Sequence, residues 1–122
     1  MDTLLACAAV AAQICIGPQI AAIDPNRGKD LWEAKCIGCH SLDANRVGPL
    51  HRGVFGRKAG TAPGFSYSTA VKSAGFAWDE ARLDQWLSGP AKFLPGSRMG
   101  FSVADPADRA DIIAYLRSLS TR

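Results

Sequence analysis

The sequence has no run of lysine or arginine residues and no apolar stretch long enough to cross a lipid bilayer. Its formal net charge is only +3 over 122 residues, and without a basic patch it does not look like a nucleic-acid-binding protein. A bilayer-spanning helix needs about 20 apolar residues, so a spanning helix is disfavoured as well. Internal repeats and low-complexity segments are also missing. The length and the ordinary apolar and charged fractions, 48% and 20%, fit one globular domain.

The first 22 residues differ in composition from the rest of the chain. Leu4–Ile16 is an almost uninterrupted apolar run, and small residues follow up to Ala22, which is typical of a secretory signal peptide and its cleavage region. The positively charged start of such a signal is missing, and Asp2 stands there instead. We therefore predict an atypical signal peptide over residues 1–22, with retention as a membrane anchor as the alternative. Residues 23–122 are predicted to form a single domain.

Helical signals occur at both ends of this domain. Asp24 and Asp105 are each followed by proline, which combines a good N-cap residue with a residue suited to the first helical position. Between these two helices, the sequence predicts a short helical piece over residues 68–73 and a longer helix over residues 79–87. The pattern therefore predicts an all-α fold.

Long irregular segments separate the predicted helices. Residues 41–66 and 91–104 are punctuated by glycine and proline and show no regular apolar period. A structureless loop of about 25 residues is unusual in a compact domain unless something organises it. The loops therefore indicate a large apolar group in the interior.

The cysteines point to that group. Cys7 and Cys15 lie in the predicted signal peptide, whereas Cys36 and Cys39 belong to the motif Cys-Ile-Gly-Cys-His, which ends at His40. Cys-x-x-Cys-His is the attachment signature of haem c. The two thiols can reach the two vinyl groups on one edge of the porphyrin, and the adjacent imidazole then comes under the iron. The motif predicts one covalent haem c, with His40 as an axial ligand of its iron.

Other uses of the cysteine pair fit less well. A zinc site would need Cys36, Cys39, His40 and His51 as its four ligands, and His51 lies far along a loop. A thioredoxin-like redox pair needs a βαβ context that the sequence does not show. A disulfide across two intervening residues would constrain almost nothing.

Met99 is the best candidate for the second axial position of the iron. Only two methionines occur, and the other is Met1. Met99 lies in a polar loop flanked by glycines rather than on a helix face, where a methionine would usually fill the core. His51 is the alternative sixth ligand. A Met/His pair raises the reduction potential of haem iron, and two filled axial positions favour electron transfer over catalysis.

Further segments outside the attachment motif follow in a consistent order: Val47-Gly48-Pro49, Phe55-Gly56-Arg57-Lys58-Ala59-Gly60, Ala62-Pro63-Gly64-Phe65-Ser66-Tyr67-Ser68, Trp78, Pro95-Gly96-Ser97-Arg98-Met99, and Arg109-Ala110-Asp111-Ile112-Ile113-Ala114-Tyr115-Leu116. In combination they resemble class I cytochrome c, of the mitochondrial type and its soluble bacterial relatives. The resemblance runs from about Gly28 to Leu119. It implies the cytochrome c fold, with crossing terminal helices and long loops wrapped around one covalently bound haem. Gly28 and Trp32 are then expected to pack against Tyr115.

The resemblance also implies roles for individual residues. Pro49 would place a backbone carbonyl to accept the free N–H of His40. Arg57, Tyr67 and Trp78 would hydrogen-bond the haem propionates, and Phe101 would cover the haem edge.

Trp86 and Ser97 complete the expected cofactor contacts. Trp86 stands where the mitochondrial type has a tyrosine near the methionine ligand, so a hydrogen bond there would have to come from an indole N–H. His51 replaces a usual leucine and would bring a polar group to the haem pocket or its rim.

The function implied is that of a one-electron carrier of the periplasm, monomeric and not an enzyme, in a respiratory or photosynthetic chain. Its partners would be membrane complexes, with a quinol–cytochrome c reductase-like donor and an oxidase or reaction centre as acceptor. They would dock at a basic rim formed by Lys35, Arg46, Lys92 and Arg98. Loss of residues 1–22 would remove a single charge, that of Asp2, so steering by charge would be modest.

Two other functions stay open at this stage. If Met99 is a weak ligand, the protein would be a peroxidase or a gas sensor. If residues 1–22 are retained, it would be a membrane-tethered electron-donor subunit.

Overall fold

The computed structural model describes residues 22–120, and the predicted signal peptide therefore lies almost entirely outside the described residues. Five helices occur in this part of the chain: α1 (Pro25–Lys35), α2 (Thr69–Lys72), α3 (Glu80–Ser88), α4 (Pro90–Phe93) and α5 (Pro106–Ser118). Within residues 22–120 there is no strand, and a single antiparallel bridge joins Lys58 to Ala77. The prediction of an all-α fold is confirmed.

The helices begin where the capping residues predict. The side chain of Asp24 accepts a hydrogen bond from the amide of Asn26 at the start of α1, and that of Asp105 accepts one from Ala107 at the start of α5. Asp79 caps α3 in the same way. Each cap satisfies one of the amides that a helix N-terminus leaves without a partner.

One local prediction differs from the structure. We expected the helix over residues 79–87 to be followed by an irregular segment over residues 91–104, but Pro90 is the first residue of the four-residue helix α4. The same property of proline explains both outcomes: it cannot continue α3, yet its fixed φ suits the first position of a new helix. The irregular segment that carries Met99 therefore begins only at Leu94.

Helices α1 and α5 cross in close contact and form the principal helix interface. A Cβ atom at Gly28 would overlap the carbonyl oxygen of Asp111, so the two backbones touch at this point. The rings of Trp32 and Tyr115 lie 6.0 Å apart on the same interface, and Ile112 is fully buried there. Trp32 thus packs against Tyr115 as expected, whereas the partner of Gly28 is the backbone of Asp111.

A buried carboxylate ties the start of α1 to α5. Asp111, which is 5% exposed, accepts hydrogen bonds from the backbone amide of Asp24 and from Nη1 of Arg27, both at 2.8 Å. Arg27 also contacts Asp108 through Nη2 at 2.6 Å. Burial raises the pKa of Asp111, but the hydrogen bonds from the Asp24 amide and from Arg27 outweigh it, so the net pKa lies below its ordinary value.

This depressed pKa predicts acid-sensitive stability. A carboxylate whose pKa is lower in the folded than in the unfolded state stabilises the fold above about pH 4 and loses that contribution as the pH falls through the folded pKa. We expect Asp111→Asn to lower the free energy of unfolding by about 1–3 kcal/mol at pH 7. The difference in free energy of unfolding between the wild-type protein and Asp111→Asn should become smaller as the pH approaches 3.

Urea unfolding of both proteins between pH 3 and pH 7 measures this effect. Asp43→Asn is the control: the hydrogen bond from Arg52 also lowers the pKa of Asp43, but this ion pair is exposed at the surface and stabilises the fold little, so its change with pH should be much smaller. A constant difference between the wild-type protein and Asp111→Asn over this range would contradict the prediction.

Candidate functional site: a haem-sized cavity

The cysteine–histidine motif forms a tight turn directly after α1. The amide of Cys36 bonds to Trp32 O as the helix ends, and the amides of Cys39 and His40 both bond to Cys36 O, at 3.1 and 2.9 Å. This turn brings the two thiols and the imidazole to one wall of a cavity. Cys36 is half-buried, Cys39 is exposed and His40 is buried.

Burial leaves His40 in the form that a metal ligand requires. Its Nδ1 lies 2.8 Å from Pro49 O and donates to that carbonyl, which leaves Nε2 unprotonated and able to bind iron. The pKa of His40 lies below its ordinary value, chiefly because of burial. The hydrogen bond to Pro49 raises the pKa, whereas the charges of Arg46 and Arg57 lower it.

Gly48 makes this arrangement possible. A Cβ atom at Gly48 would overlap Cε1 of His40 and lie 2.6 Å from its Nδ1 and 2.7 Å from its Nε2. Only a residue without a side chain lets the loop before Pro49 pass so close to the imidazole.

The cavity has a volume of about 460 Å³, within the range of roughly 300–1,000 Å³ that is usual for ligand and cofactor sites. Its wall combines the attachment motif with residues from α3, α5 and both long loops. The lining residues are Lys35, Cys36, Gly38, Cys39, His40, Val47, Gly48, Pro49, His51, Val54, Arg57, Phe65, Tyr67, Ser68, Val71, Trp78, Leu83, Trp86, Leu87, Arg98, Met99, Gly100, Phe101 and Leu116.

Arg57 shows where negative charge fits in this cavity. Its Nη2 donates to Leu50 O at 3.1 Å, but its buried Nε has no hydrogen-bond partner among the described residues. Burial lowers the pKa of the guanidinium, and the neighbouring Tyr67 partly offsets this effect. A buried cationic donor without a partner is costly, so this position suits a carboxylate such as a haem propionate.

Tyr67 and Trp78 line the same cavity. The Tyr67 hydroxyl accepts a hydrogen bond from the amide of Ala62 at 3.0 Å, which leaves its own proton free to donate. Trp78 is 6% exposed and makes an edge contact with Trp86 at 5.4 Å. The aromatic side chains thus form a rigid part of the wall.

Met99 and Phe101 reach the cavity from the loop between α4 and α5. Met99 is half-buried and packs against the core, and Phe101 is 46% exposed. Ser97 is different: it is not one of the lining residues, and its hydroxyl lies 3.4 Å from Pro90 O, to which it donates. The structure therefore gives no support to a cofactor contact by Ser97.

His51 lies beside His40 rather than across the cavity from it. The two rings are stacked, with centroids 3.8 Å apart and an interplanar angle of 22°. A ring stacked on that of His40 would lie on the same side of a bound haem as His40, so this position does not fit the sixth ligand. Burial lowers the pKa of His51 well below its ordinary value, and the neighbouring His40 and Arg57 lower it further.

The four residues of the predicted basic rim divide into two groups. Lys35 and Arg98 are exposed and line the cavity. Arg46 is exposed beside them, and its guanidinium donates to the carbonyls of Ile37, Gly38 and His40. Lys92 lies outside the cavity wall, in a neighbouring depression that also includes Gln85 and Ser88.

Two side chains that the sequence did not single out hold the loops in place. Asn45 accepts from the amide of Leu50 at 3.0 Å and donates to Pro63 O at 2.9 Å, which joins the two halves of the long loop. Arg109 pairs with Asp84 on α3 at 2.7 Å and donates to Val103 O and Ala104 O. No motif around either residue indicates which residues it contacts, so these hydrogen bonds could not be predicted from the sequence.

Comparison with known proteins identifies the family of this protein. The family model for cytochrome c matches residues 25–120. The protein belongs to the cytochrome c family. Cytochrome c from Euglena viridis is 42% identical to this chain over 99 residues, covering 79% of this chain and 97% of that protein. Cytochrome c2 from Rhodomicrobium vannielii is also 42% identical, over 110 residues and 87% of each chain.

Solved structures agree with this assignment. Cytochrome cH from Methylobacterium extorquens matches with a TM-score of 0.74 and 42% identity, covering 78% of this chain and 98% of that chain. The cytochrome c fold is thus confirmed. A cytochrome c is an electron carrier with one covalently attached haem c, and Cys36, Cys39 and His40 supply the attachment signature for it here.

The zinc alternative finds no support in the arrangement of side chains. Across residues 22–120, no three or more histidine, cysteine or acidic side chains are grouped so that they could hold a metal ion together. The cavity instead offers a large wall with two imidazoles, one thioether and an arginine whose Nε is buried, which fits haem.

Proposed function

We propose that this cytochrome c is a one-electron carrier of the periplasm whose haem iron is held by His40 and Met99. The observation that carries the proposal is that both side chains line one cavity together with Cys36 and Cys39. The bound haem supplies the redox chemistry, because its iron alternates between the ferrous and ferric states. The residues of the chain fix its position, its axial ligands and its access to solvent.

Each proposed ligand is presented by a constrained segment. The Pro49 carbonyl orients His40 through Nδ1. The segment that carries Met99 is attached at both ends: Arg98 donates to Ser66 O at 3.0 Å, and the amide of Val103 donates to Leu87 O at 2.7 Å. Held in this way, His40 and Met99 would both remain bound to the haem iron, which would favour electron transfer over binding of oxygen or peroxide.

Arg57, Tyr67 and Trp78 are proposed to hold the propionates. The partnerless Nε of Arg57 is the strongest support, because a propionate oxygen would satisfy it. Without a positive charge in the pocket, the two propionates of the haem would be buried with no counter-charge, and burying an unpaired charge is costly.

The partners are proposed to be membrane electron-transfer complexes that dock where the cavity opens. The exposed apolar side chains of Val47 and Phe101 lie there, 75% and 46% exposed, beside the cations Lys35, Arg46 and Arg98. An apolar centre surrounded by basic residues fits an acidic docking surface on a partner. At low ionic strength, the opposite charges also attract the two proteins toward each other. Lys92 is the most peripheral member of this rim, since it lies outside the cavity wall.

The periplasmic location depends on residues 1–22, nearly all of which lie outside the described residues. No helix within residues 22–120 is long and apolar enough to cross a membrane. Cell fractionation distinguishes the two proposals for the leader: a diffusing carrier is recovered in the periplasmic fraction, whereas a tethered donor subunit is recovered only with membranes.

The ligation by Met99 predicts a characteristic optical behaviour. The oxidised protein should show a sulfur-to-iron charge-transfer band, and the reduced protein should not bind carbon monoxide. Met99→Ala should abolish the band, bind carbon monoxide rapidly and lower the reduction potential, because a thioether stabilises ferrous iron. Optical titration with and without carbon monoxide, together with potentiometry, measures all three effects.

Ser97→Ala is the matched control for this experiment. Ser97 lies in the same loop, but its hydroxyl bonds to Pro90 O instead of lining the cavity, so the band should persist. A wild-type protein without the band whose reduced haem binds carbon monoxide at once would contradict the proposal. It would favour the peroxidase or gas-sensor alternative.

A further inference from the structure

The imidazole of His51 lies face to face against that of His40. Their centroids are 3.8 Å apart and the rings are inclined by only 22°. His40 is the proposed axial ligand, so a role for His51 beside it rests on the proposed function.

Trp32 holds His51 in one orientation. Its Nε1 donates to Nδ1 of His51 at 2.8 Å. An indole N–H can only donate, so Nδ1 of His51 carries no proton and the ring is the neutral Nε2–H tautomer. Trp32 is 4% exposed and packs against Tyr115 at the crossing of α1 and α5, which gives the donor a rigid support.

The backbone of His51 is fixed as well. Its amide donates to Ser41 O at 3.0 Å, and its carbonyl accepts from the amide of Val54 at 3.0 Å. Two sets of contacts therefore fix the position of the His51 ring: the main-chain hydrogen bonds within the loop, and the hydrogen bond from Trp32 on α1.

His40 consequently has two kinds of constraint. The hydrogen bond to Pro49 O holds one edge of its ring, but a single hydrogen bond still allows the ring to turn about its direction. The flat face of His51 removes that freedom, because a rotated His40 ring would collide with it at a separation of 3.8 Å.

We infer that His51, held by Trp32, is a positioning residue that fixes the plane of the His40 imidazole and lowers the reduction potential of the iron. The effect on potential follows from charge. Oxidised iron carries one more positive charge than reduced iron, and a polar ring nearby stabilises that charge better than an aliphatic side chain does. Neighbouring groups of this kind tune a metal centre without binding it.

Three variants of the haem-loaded protein separate the contributions. His51→Leu removes the flat ring and its dipole, and we expect altered EPR g-values of the ferric haem and a higher reduction potential. His51→Phe keeps a flat ring but cannot accept the hydrogen bond from Trp32, so we expect a smaller change in g-values than in His51→Leu and again a higher potential. Trp32→Phe removes the donor to His51 and keeps an aromatic ring beside Tyr115, so the g-values should change because the stacked ring is no longer fixed.

Arg52→Gln is the control for these variants. Arg52 is the next residue, but its side chain is exposed and pairs with Asp43 at the surface. Neither the g-values nor the potential should change beyond the small effect of one distant charge.

The sulfur-to-iron band distinguishes failure of the proposed ligation by Met99 from failure of the inference about His51. If the wild-type protein shows the band and His51→Leu has unchanged g-values and potential, the inference is wrong while the proposed function stands. If the wild-type protein lacks the band, the proposed ligation itself fails. Should His51→Leu yield no loaded protein, unchanged g-values in Trp32→Phe together with an unchanged potential in His51→Phe overturn the inference.

Discussion

Gly48→Ala is expected to prevent formation of the native haem site. The added Cβ would overlap Cε1 of His40 and crowd both ring nitrogens, at 2.6 and 2.7 Å. Either the imidazole rotates away, which breaks its hydrogen bond to Pro49 O, or the loop moves and opens the cavity. We expect loss of the sulfur-to-iron band, reduced haem that binds carbon monoxide, and a free energy of unfolding lower by about 3 kcal/mol or more.

Gly38→Ala is the matched control within the same region. Nothing lies within 4 Å of a Cβ at Gly38, so the optical spectrum should be that of the wild type. Optical spectra, carbon monoxide titration and urea unfolding of both variants test the prediction. A Gly48→Ala protein with a native spectrum would show that the loop yields easily and that the close approach to His40 is not required.

Gly28→Ala is expected to be the most destabilising change outside the haem cavity. Its Cβ would overlap the carbonyl oxygen of Asp111 and come close to the carbonyl carbon and to the amide nitrogen of Ile112, all of which are backbone atoms that cannot rotate aside. Helices α1 and α5 must therefore separate. Alanine normally stabilises a helix by about 1 kcal/mol relative to glycine, so a net loss of about 3 kcal/mol or more would measure the clash.

Thermal or urea unfolding of the haem-loaded protein measures this loss. Ala34→Ser, on an exposed position of α1, should change the free energy of unfolding by less than about 0.5 kcal/mol. Equal stabilities of Gly28→Ala and the wild type would mean that the helices can re-pack at no cost.

The ends of the helices were predictable from the sequence because their signals are local. Asp24 and Asp105 cap helices within two residues of themselves, and a proline after each one reinforces the signal. The path of the long loops was not predictable, because it depends on distant partners. Asn45 bridges to Pro63 over 18 residues, and neither residue alone indicates the other.

The candidate site followed the same rule. Cys36, Cys39 and His40 form a local motif, and Met99 stood out because the only other methionine is Met1. The stack of His51 on His40 was not predictable, because the loop that brings the rings together has no regular period. Ser97 was expected near the haem from the resemblance alone; its hydroxyl donates to Pro90 O, a contact that no local sequence signal indicates.

The bond between Asp24 and Asp111 has a kinetic consequence. It joins residues 87 positions apart, and the largest helix contact in the described chain lies between its first and last helices. Such non-local contacts slow folding, since a long loop must close before they contribute. A nascent chain lacking α5 also lacks the principal helix partner of α1, so this helix interface cannot form until residues 106–118 have been synthesised. Until that interface forms, the thiols of Cys36 and Cys39 directly after α1 stay accessible for attachment of the haem.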